Sequence, residues 1–227
     1  MFLHFTEDSY EKALIGLFQS MGYEYAYGPD IERNYQEPYY LNQVWASLPI
    51  VNPSKHQNAI AEAIKKLTNI DSGDLAQKNG IFMDYLQNGI PVAYHDGKEI
   101  RHDIVYLIDY ENTHRNTFQI INQWTYVEKS EKRADLIVFV DGLPLVLIEL
   151  KSPSREATDA SAAYRQIKNY MYEIPSMFTY NAFCVMSDMM CSKAGTITCS
   201  EDRFMEWKTK DGNYESTQYA DYDTFFE

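Results

Sequence analysis

Cysteine is scarce in this chain. There are three, Cys184, Cys191 and Cys199. An odd number at a spacing that fits no zinc pattern excludes a disulfide framework and a structural zinc module. Reduced thiols, and hence a cytoplasmic location, are the expectation. No apolar run approaches the roughly 20 residues of a membrane span. The opening residues Met1 to Asp8 lack the basic stretch and apolar core of a signal peptide. There is no G-x-x-x-x-G-K-[ST] phosphate loop and no G-x-S-x-G elbow, so nucleotide hydrolysis and serine-hydrolase chemistry by those routes are excluded. Positive charge is also short. Twenty Lys and Arg face 33 Asp and Glu, for a net charge of −13. Proteins that grip nucleic acid alone usually present a basic surface, so DNA chemistry here calls for a partner or a further domain to hold the substrate, or for clustering of the few basic residues.

What is present is globular. Of 227 residues, 45% are hydrophobic, and 19 are tyrosines, which is the composition of a chain that buries a core. Thr6 caps a first helix, with Glu7 and Asp8 in its first turn, where the helix dipole favours acids. Tyr10, Ala13, Leu14, Leu17, Phe18 and Met21 follow at helical spacing, and Gly22 ends the pattern. Residues 23–52 read as irregular. Ser54 is placed to cap a second helix through Leu67, and a third runs from Leu75 to Asn88. Strands are expected at Ile90–His95, Ile100–Tyr110, Thr117–Glu128, Asp135–Val140 and Leu145–Lys151, with a hairpin signal at Asp96-Gly97. A helix from Ala157 to Glu173 closes at Pro175. Strands at Asn181–Ser187 and Thr196–Cys199 and a short helix at Glu201–Trp207 complete the chain. The order predicts one α/β or α+β domain over residues 1–227, with a mixed sheet flanked by helices. Its helical part covers about 1–89 and its catalytic sheet and helix about 90–227.

The stretch from Arg133 to Lys151 carries the chemistry. Two apolar strands flank Asp141-Gly142, yet the first begins with Asp135 and the second ends in Glu149 and Lys151. Glu149 and Lys151 are two apart and share a face. Charges at the ends of buried strands are costly unless paired or metal-bound. Register decides whether Asp135 joins them. A strict two-residue loop places Asp135 opposite Ile148. A three-residue turn, or one bulge, places it opposite Glu149, and a bulge or odd loop is therefore predicted. Two carboxylates beside one ammonium suit Mg²⁺, which takes one or two protein carboxylates and keeps its waters. Such an ion polarises a phosphoryl oxygen and activates water, with Lys151 orienting or deprotonating that water or stabilising charge in the transition state. An ordinary hairpin with solvated charged ends is the plain alternative. On the next helix Gln166 and Tyr170 are four apart on one face; they could bond phosphate oxygens or orient the lysine, or Tyr170 could pack in the core. The five histidines are dispersed, though His95 and His102 flank the predicted hairpin and could approach each other.

An acid, then Glu-Leu-Lys ending an apolar strand, then Gln-x-x-x-Tyr on the following helix resembles the PD-(D/E)xK nuclease superfamily with its RecB-like helix motif. The wider sequence resembles the N-terminal endonuclease domain of type I restriction enzyme R subunits. The resemblance is carried by Tyr10 to Ile15, Asn122-Gln123-Trp124-Thr125, Arg133-Ala134-Asp135, Gly142-Leu143-Pro144-Leu145, Ile148 to Pro153 and Phe204 to Lys208. Ala134 departs from the proline of the superfamily name, at a position that shapes backbone rather than holding a ligand. The resemblance implies Mg²⁺ held by Asp135 and Glu149, Lys151 as a catalytic residue, and Gln166 and Tyr170 positioning DNA. It implies duplex DNA as substrate, methyltransferase and specificity subunits as partners, and ATP use only through helicase-like motor domains absent from this chain. It would also allow a first-helix acid near the metal; Glu11 otherwise reads as a solvated helix acid. Two other readings are a non-catalytic docking module of the same fold and a stand-alone repair nuclease.

Overall fold

A computed structural model describes residues 6–151, 160–188, 191–206 and 225–226. The first helix, α1 (Glu7–Ser20), is capped as expected: the Thr6 hydroxyl accepts from the Ser9 amide, and the Ser9 side chain bonds back to the Thr6 backbone. Tyr10, Leu14, Ile15 and Phe18 form its buried face. The tyrosine-rich stretch is more ordered than its sequence suggests. It holds β1 (Glu24–Tyr27) and α2 (Leu41–Val51), the latter with Pro49 in its last turn. Then come α3 (Gln57–Thr68), α4 (Leu75–Asn88), β2 (Ile90–His95) and β3 (Ile100–Val105). The α3 cap is His56, whose Nδ1 accepts from the Asn58 amide, and not Ser54. β3 stops at Val105 rather than Tyr110. The Asn52 side chain takes over there, accepting from the Tyr106 amide at 2.9 Å.

The centre of the molecule is a seven-stranded mixed sheet. It comprises β1, β4 (Phe118–Val127), β5 (Glu131–Val140), β6 (Leu143–Leu150), β7 (Phe183–Ser187), β8 (Ser192–Gly195) and β9 (Met205–Glu206), in the order β1-β4-β5-β6-β7-β8-β9. The β1–β4 and β6–β7 pairs are parallel and the others antiparallel. α5 (Ala160–Glu173) and α6 (Pro175–Thr179) connect β6 to β7. The first three residues of the helix expected from Ala157 lie outside the described residues, as does Trp207. The preceding helix ends at Glu173 as expected, and Pro175 also opens α6, at a position where its missing N–H is no loss. Ser192–Gly195, not Thr196–Cys199, pairs with β7, and Glu201–Arg203 is a single 3₁₀ turn leading into β9.

One face of the sheet packs on α1 through Ile120, Leu136, Val138, Ile148, Leu150 and Val185. The other packs on α5 and α6 through Ile121, Trp124, Ile137, Phe139, Leu147 and Met186. A third cluster joins α2, α3 and α4 to the separate β2–β3 hairpin. The division expected near residue 89 therefore differs from the observed one: β1 belongs to the large sheet, and the hairpin after residue 89 belongs with the helices. In that hairpin His102 pairs with Ala93 and His95 with Ile100, so the two histidines are not cross-strand partners.

Candidate active site

The geometry begins at the β5–β6 turn. Asp141 and Gly142 have φ of +52° and +83°, the left-handed pair of a two-residue hairpin loop. The ladder runs Val140–Leu143 and Phe139–Pro144, then shifts to Val138–Val146, Ile137–Leu147 and Leu136–Ile148. Leu145 is the extra residue of a bulge. The predicted register follows: continuing the ladder places Asp135 opposite Glu149.

At that end Asp135 Oδ2 accepts from the Leu150 amide at 2.9 Å. Lys151 Nζ lies 2.7 Å from Glu149 Oε1 and also donates to the Leu150 carbonyl at 2.8 Å. Glu149 is only 3% exposed, and its buried Oε2 has no hydrogen bond of full geometry, although the Tyr170 hydroxyl interacts with the carboxylate. Burial, then the Asp135 charge, push the Glu149 carboxyl up to about 8 against the opposing pull of Lys151. Burial likewise raises Asp135 to about 6, opposed by the Leu150 amide and Lys151 and reinforced by Glu7 and Glu11 of α1. On Lys151, burial acts downward, but the Glu149 and Asp135 charges outweigh it and hold the ammonium above its ordinary range. Two carboxylates that resist ionisation side by side constitute a site short of positive charge.

Tyr170 comes from α5. It is 5% exposed, its ring is in the core, and its hydroxyl donates to the Arg133 carbonyl at 3.1 Å. Burial and the nearby Glu149 charge raise its phenol, while a hydrogen bond with Gln166 acts in the opposite direction. Gln166 is half-buried. The ring of Tyr170 thus packs in the core, as one of its two sequence-derived readings expects, with its hydroxyl on the backbone next to Asp135. Glu11 is not a freely solvated helix acid. Asn122 Nδ2 donates to its Oε1 at 2.6 Å and Gln123 Nε2 to its Oε2 at 2.9 Å. In the sequence Asn122 and Gln123 belong to a stretch that carries the resemblance, but no role follows for them there; a polar pair interrupting the apolar strand β4 is the signal that marks them.

Among the described residues there is no group of three or more His, Cys, Asp or Glu arranged to hold a metal. The donor set nevertheless fits a hard divalent cation that keeps most of its water, because two carboxylates suffice for such an ion. The under-bonded Glu149 oxygen is the observation that favours it: a buried acceptor without a well-aligned donor is costly unless something positive meets it.

A mixed sheet flanked by helices, with an acid and a Glu-x-Lys at the ends of adjacent strands, is consistent with a PD-(D/E)xK-like nuclease core. The family described as "Type I restriction enzyme R protein N terminus" matches residues 4–202, and the chain belongs to it. The Type I restriction enzyme HindI endonuclease subunit of Haemophilus influenzae is 32% identical over 223 residues, covering 94% of this chain and 21% of that protein. The MjaIXP endonuclease subunit of Methanocaldococcus jannaschii is 31% identical over 208 residues, 87% of this chain and 20% of its own length. The EcoprrI endonuclease subunit of Escherichia coli is 28% identical over 195 residues, 75% and 61% respectively. The chain thus spans about a fifth of the length of the first two relatives. No helix among the described residues is long and apolar enough to cross a membrane.

Proposed function

We propose that this domain is a Mg²⁺-dependent endonuclease that hydrolyses phosphodiester bonds of double-stranded DNA, acting as the cutting domain of a type I restriction R subunit in the cytoplasm. The observation that carries the reading is Glu149: a buried carboxylate with one oxygen lacking a hydrogen bond of full geometry, beside Asp135 and ion-paired to Lys151. Asp135 and Glu149 would hold the cation, whose chemistry is to polarise a phosphoryl oxygen and acidify a water. Lys151 orients the attacking water and offers its ammonium to the charge that develops on phosphorus-bound oxygen. Gln166 of α5, half-buried, would bond a DNA backbone oxygen, and Tyr170 holds the Arg133 backbone beside Asp135. The net charge of −13 argues that DNA is gripped elsewhere. Methyltransferase and specificity subunits, and ATP-driven motor domains of a longer R subunit, are the partners that would supply that grip.

The test is cleavage by the assembled enzyme with Mg²⁺, comparing wild type with Lys151→Ala. A loss of at least about 100-fold is expected for removing a transition-state donor, and undiminished cutting would refute the assignment. The acidic surface favours a second reading, a docking module of the same fold without catalysis. Calorimetry with Mn²⁺ separates the two, since binding that disappears in Glu149→Ala excludes a purely structural role.

A further inference from the structure

Strand β4 is broken at one place. Gln123 has φ +54° in mid-strand, a conformation that residues bearing a Cβ rarely adopt and that concentrates at functional sites. The β4–β5 ladder passes from Asn122–Leu136 to Trp124–Ala134, leaving Gln123 facing Asp135 across the gap. The break reverses the facing of the strand. Ile120 packs on α1 and Ile121 on α5, but Trp124 and Tyr126 both pack on the α5 side. On the neighbouring strand Leu136 and Val138 face α1, whereas Ala134 joins the α5 side, so Asp135 lies at the same reversal. The chain around it is built to admit this kink. A Cβ on Gly28 would lie 2.8 Å from both the Asn122 and the Gln123 carbonyl oxygens, and the Tyr25 hydroxyl donates to Asn122 Oδ1 at 3.1 Å, leaving the Asn122 amide for Glu11.

We propose that Gln123 is a positioning residue of the cation site: its kinked backbone and side-chain amide, together with Asn122, hold the Glu11 carboxylate where its charge strengthens the pull of Asp135 and Glu149 on a divalent cation. The inference rests on the cation-site reading above. Gln123 acts through Glu11, both of whose carboxylate oxygens are taken by amides of β4. The kink turns the Gln123 amide toward α1 while Asp135, facing it, turns toward β6 and the Leu150 amide. A regular ladder would instead point Gln123 to the α5 side with Ile121 and leave Glu11 with a single amide.

The experiment is Mn²⁺ titration by calorimetry, with melting measured in parallel in chelator, on the 227-residue chain. Gln123→Gly keeps the left-handed backbone without strain and removes the amide. Expected are an unchanged or higher melting temperature and Mn²⁺ affinity weaker by roughly fivefold, the order produced by moving a unit charge a few ångström in a medium of intermediate dielectric. Gln123→Asn, which tolerates the conformation and keeps an amide one methylene shorter, falls between. In a Glu11→Gln background, Gln123→Gly adds no further loss. Wild-type affinity in Gln123→Gly, or a loss of equal size with and without Glu11, overturns the role of Gln123 and leaves the cation site standing. Absence of Mn²⁺ binding by the wild type overturns the cation site and this role with it.

Discussion

Replacing Glu149 with Gln removes an ionisable group that the fold holds against its own charge. The carboxyl rises from an ordinary 4.5 to about 8, and at about 1.4 kcal/mol per pH unit the cost of ionising it in the folded, metal-free chain is a few kcal/mol. Lys151 already offsets part of that cost, and the substitution gives up its ion pair, so a net stabilisation of about 1–3 kcal/mol above pH 8 is expected. The pH window follows from the direction of the shift. Folded protein binds the proton more tightly than unfolded protein, so ionisation costs nothing below about pH 4.5. Stability then falls as pH rises through the interval up to about 8 and is level beyond it. Asp135, raised to about 6 by burial, adds a loss of the same sign from about 4 upward. Urea denaturation in chelator at pH 5 and pH 8.5 measures the difference. Glu149→Gln should gain on the wild type mainly at the higher pH, and Mn²⁺ should stabilise the wild type alone. A variant less stable than wild type by the same amount at both pH values would refute the premise that Glu149 is held against its own charge. Stability given up for a binding group is the general pattern at functional sites.

Lys151→Ala removes the counter-ion of Glu149, so the carboxyl keeps its proton to higher pH; a stability loss that is small at pH 5 and grows as pH rises above 8 is expected in the same denaturation assay. Gly142→Ala combines a φ of +83° with a Cβ placed 2.6 Å from the Tyr40 carbonyl oxygen and 2.7 Å from the Val44 amide; we expect a loss of about 2 kcal/mol or more, read by thermal melting. The Arg33 guanidinium stacks 3.4 Å over the Trp124 ring and donates to the Thr125 carbonyl. Arg33→Ala should cost about 1–2 kcal/mol and change Trp124 fluorescence; unchanged emission would place the stacking in doubt.

Much of the fold is legible in local sequence because its determinants are local. Thr6 with Ser9 and the acids of the first turn define α1, Asp74 begins α4, and Asp141-Gly142 turns β5 into β6. The candidate trio Asp135, Glu149 and Lys151 stands out in the sequence for a related reason. Charges at the ends of apolar strands stand out, the two-residue period fixes Glu149 and Lys151 on one face, and register arithmetic then requires the bulge found at Leu145. Residues 23–52 read as irregular in sequence because their order is not intrinsic. β1 exists by pairing with β4, and α2 is seated by Tyr40 and Val44 against the Asp141-Gly142 turn, with the Tyr40 amide donating to the Gly142 carbonyl. No periodicity in the segment itself records those contacts. Residue preference alone favours Ser54 as the cap, whereas His56 holds the position because its imidazole reaches the Asn58 amide.

The amino-acid sequence by itself determined the helices with their own caps, the apolar strands, the shortage of positive charge, and the set Asp135, Glu149 and Lys151. These depend on spacing along the chain and on the cost of burying charge, both of which act over a few residues. Only the tertiary structure decided which oxygen of Glu149 stays under-bonded, how far burial and the acids of α1 raise the two carboxyls, and that Gln123 reverses strand β4 to reach Glu11. Those depend on groups more than a hundred residues apart meeting in a medium of low polarity, where a charge is governed by its neighbours in space.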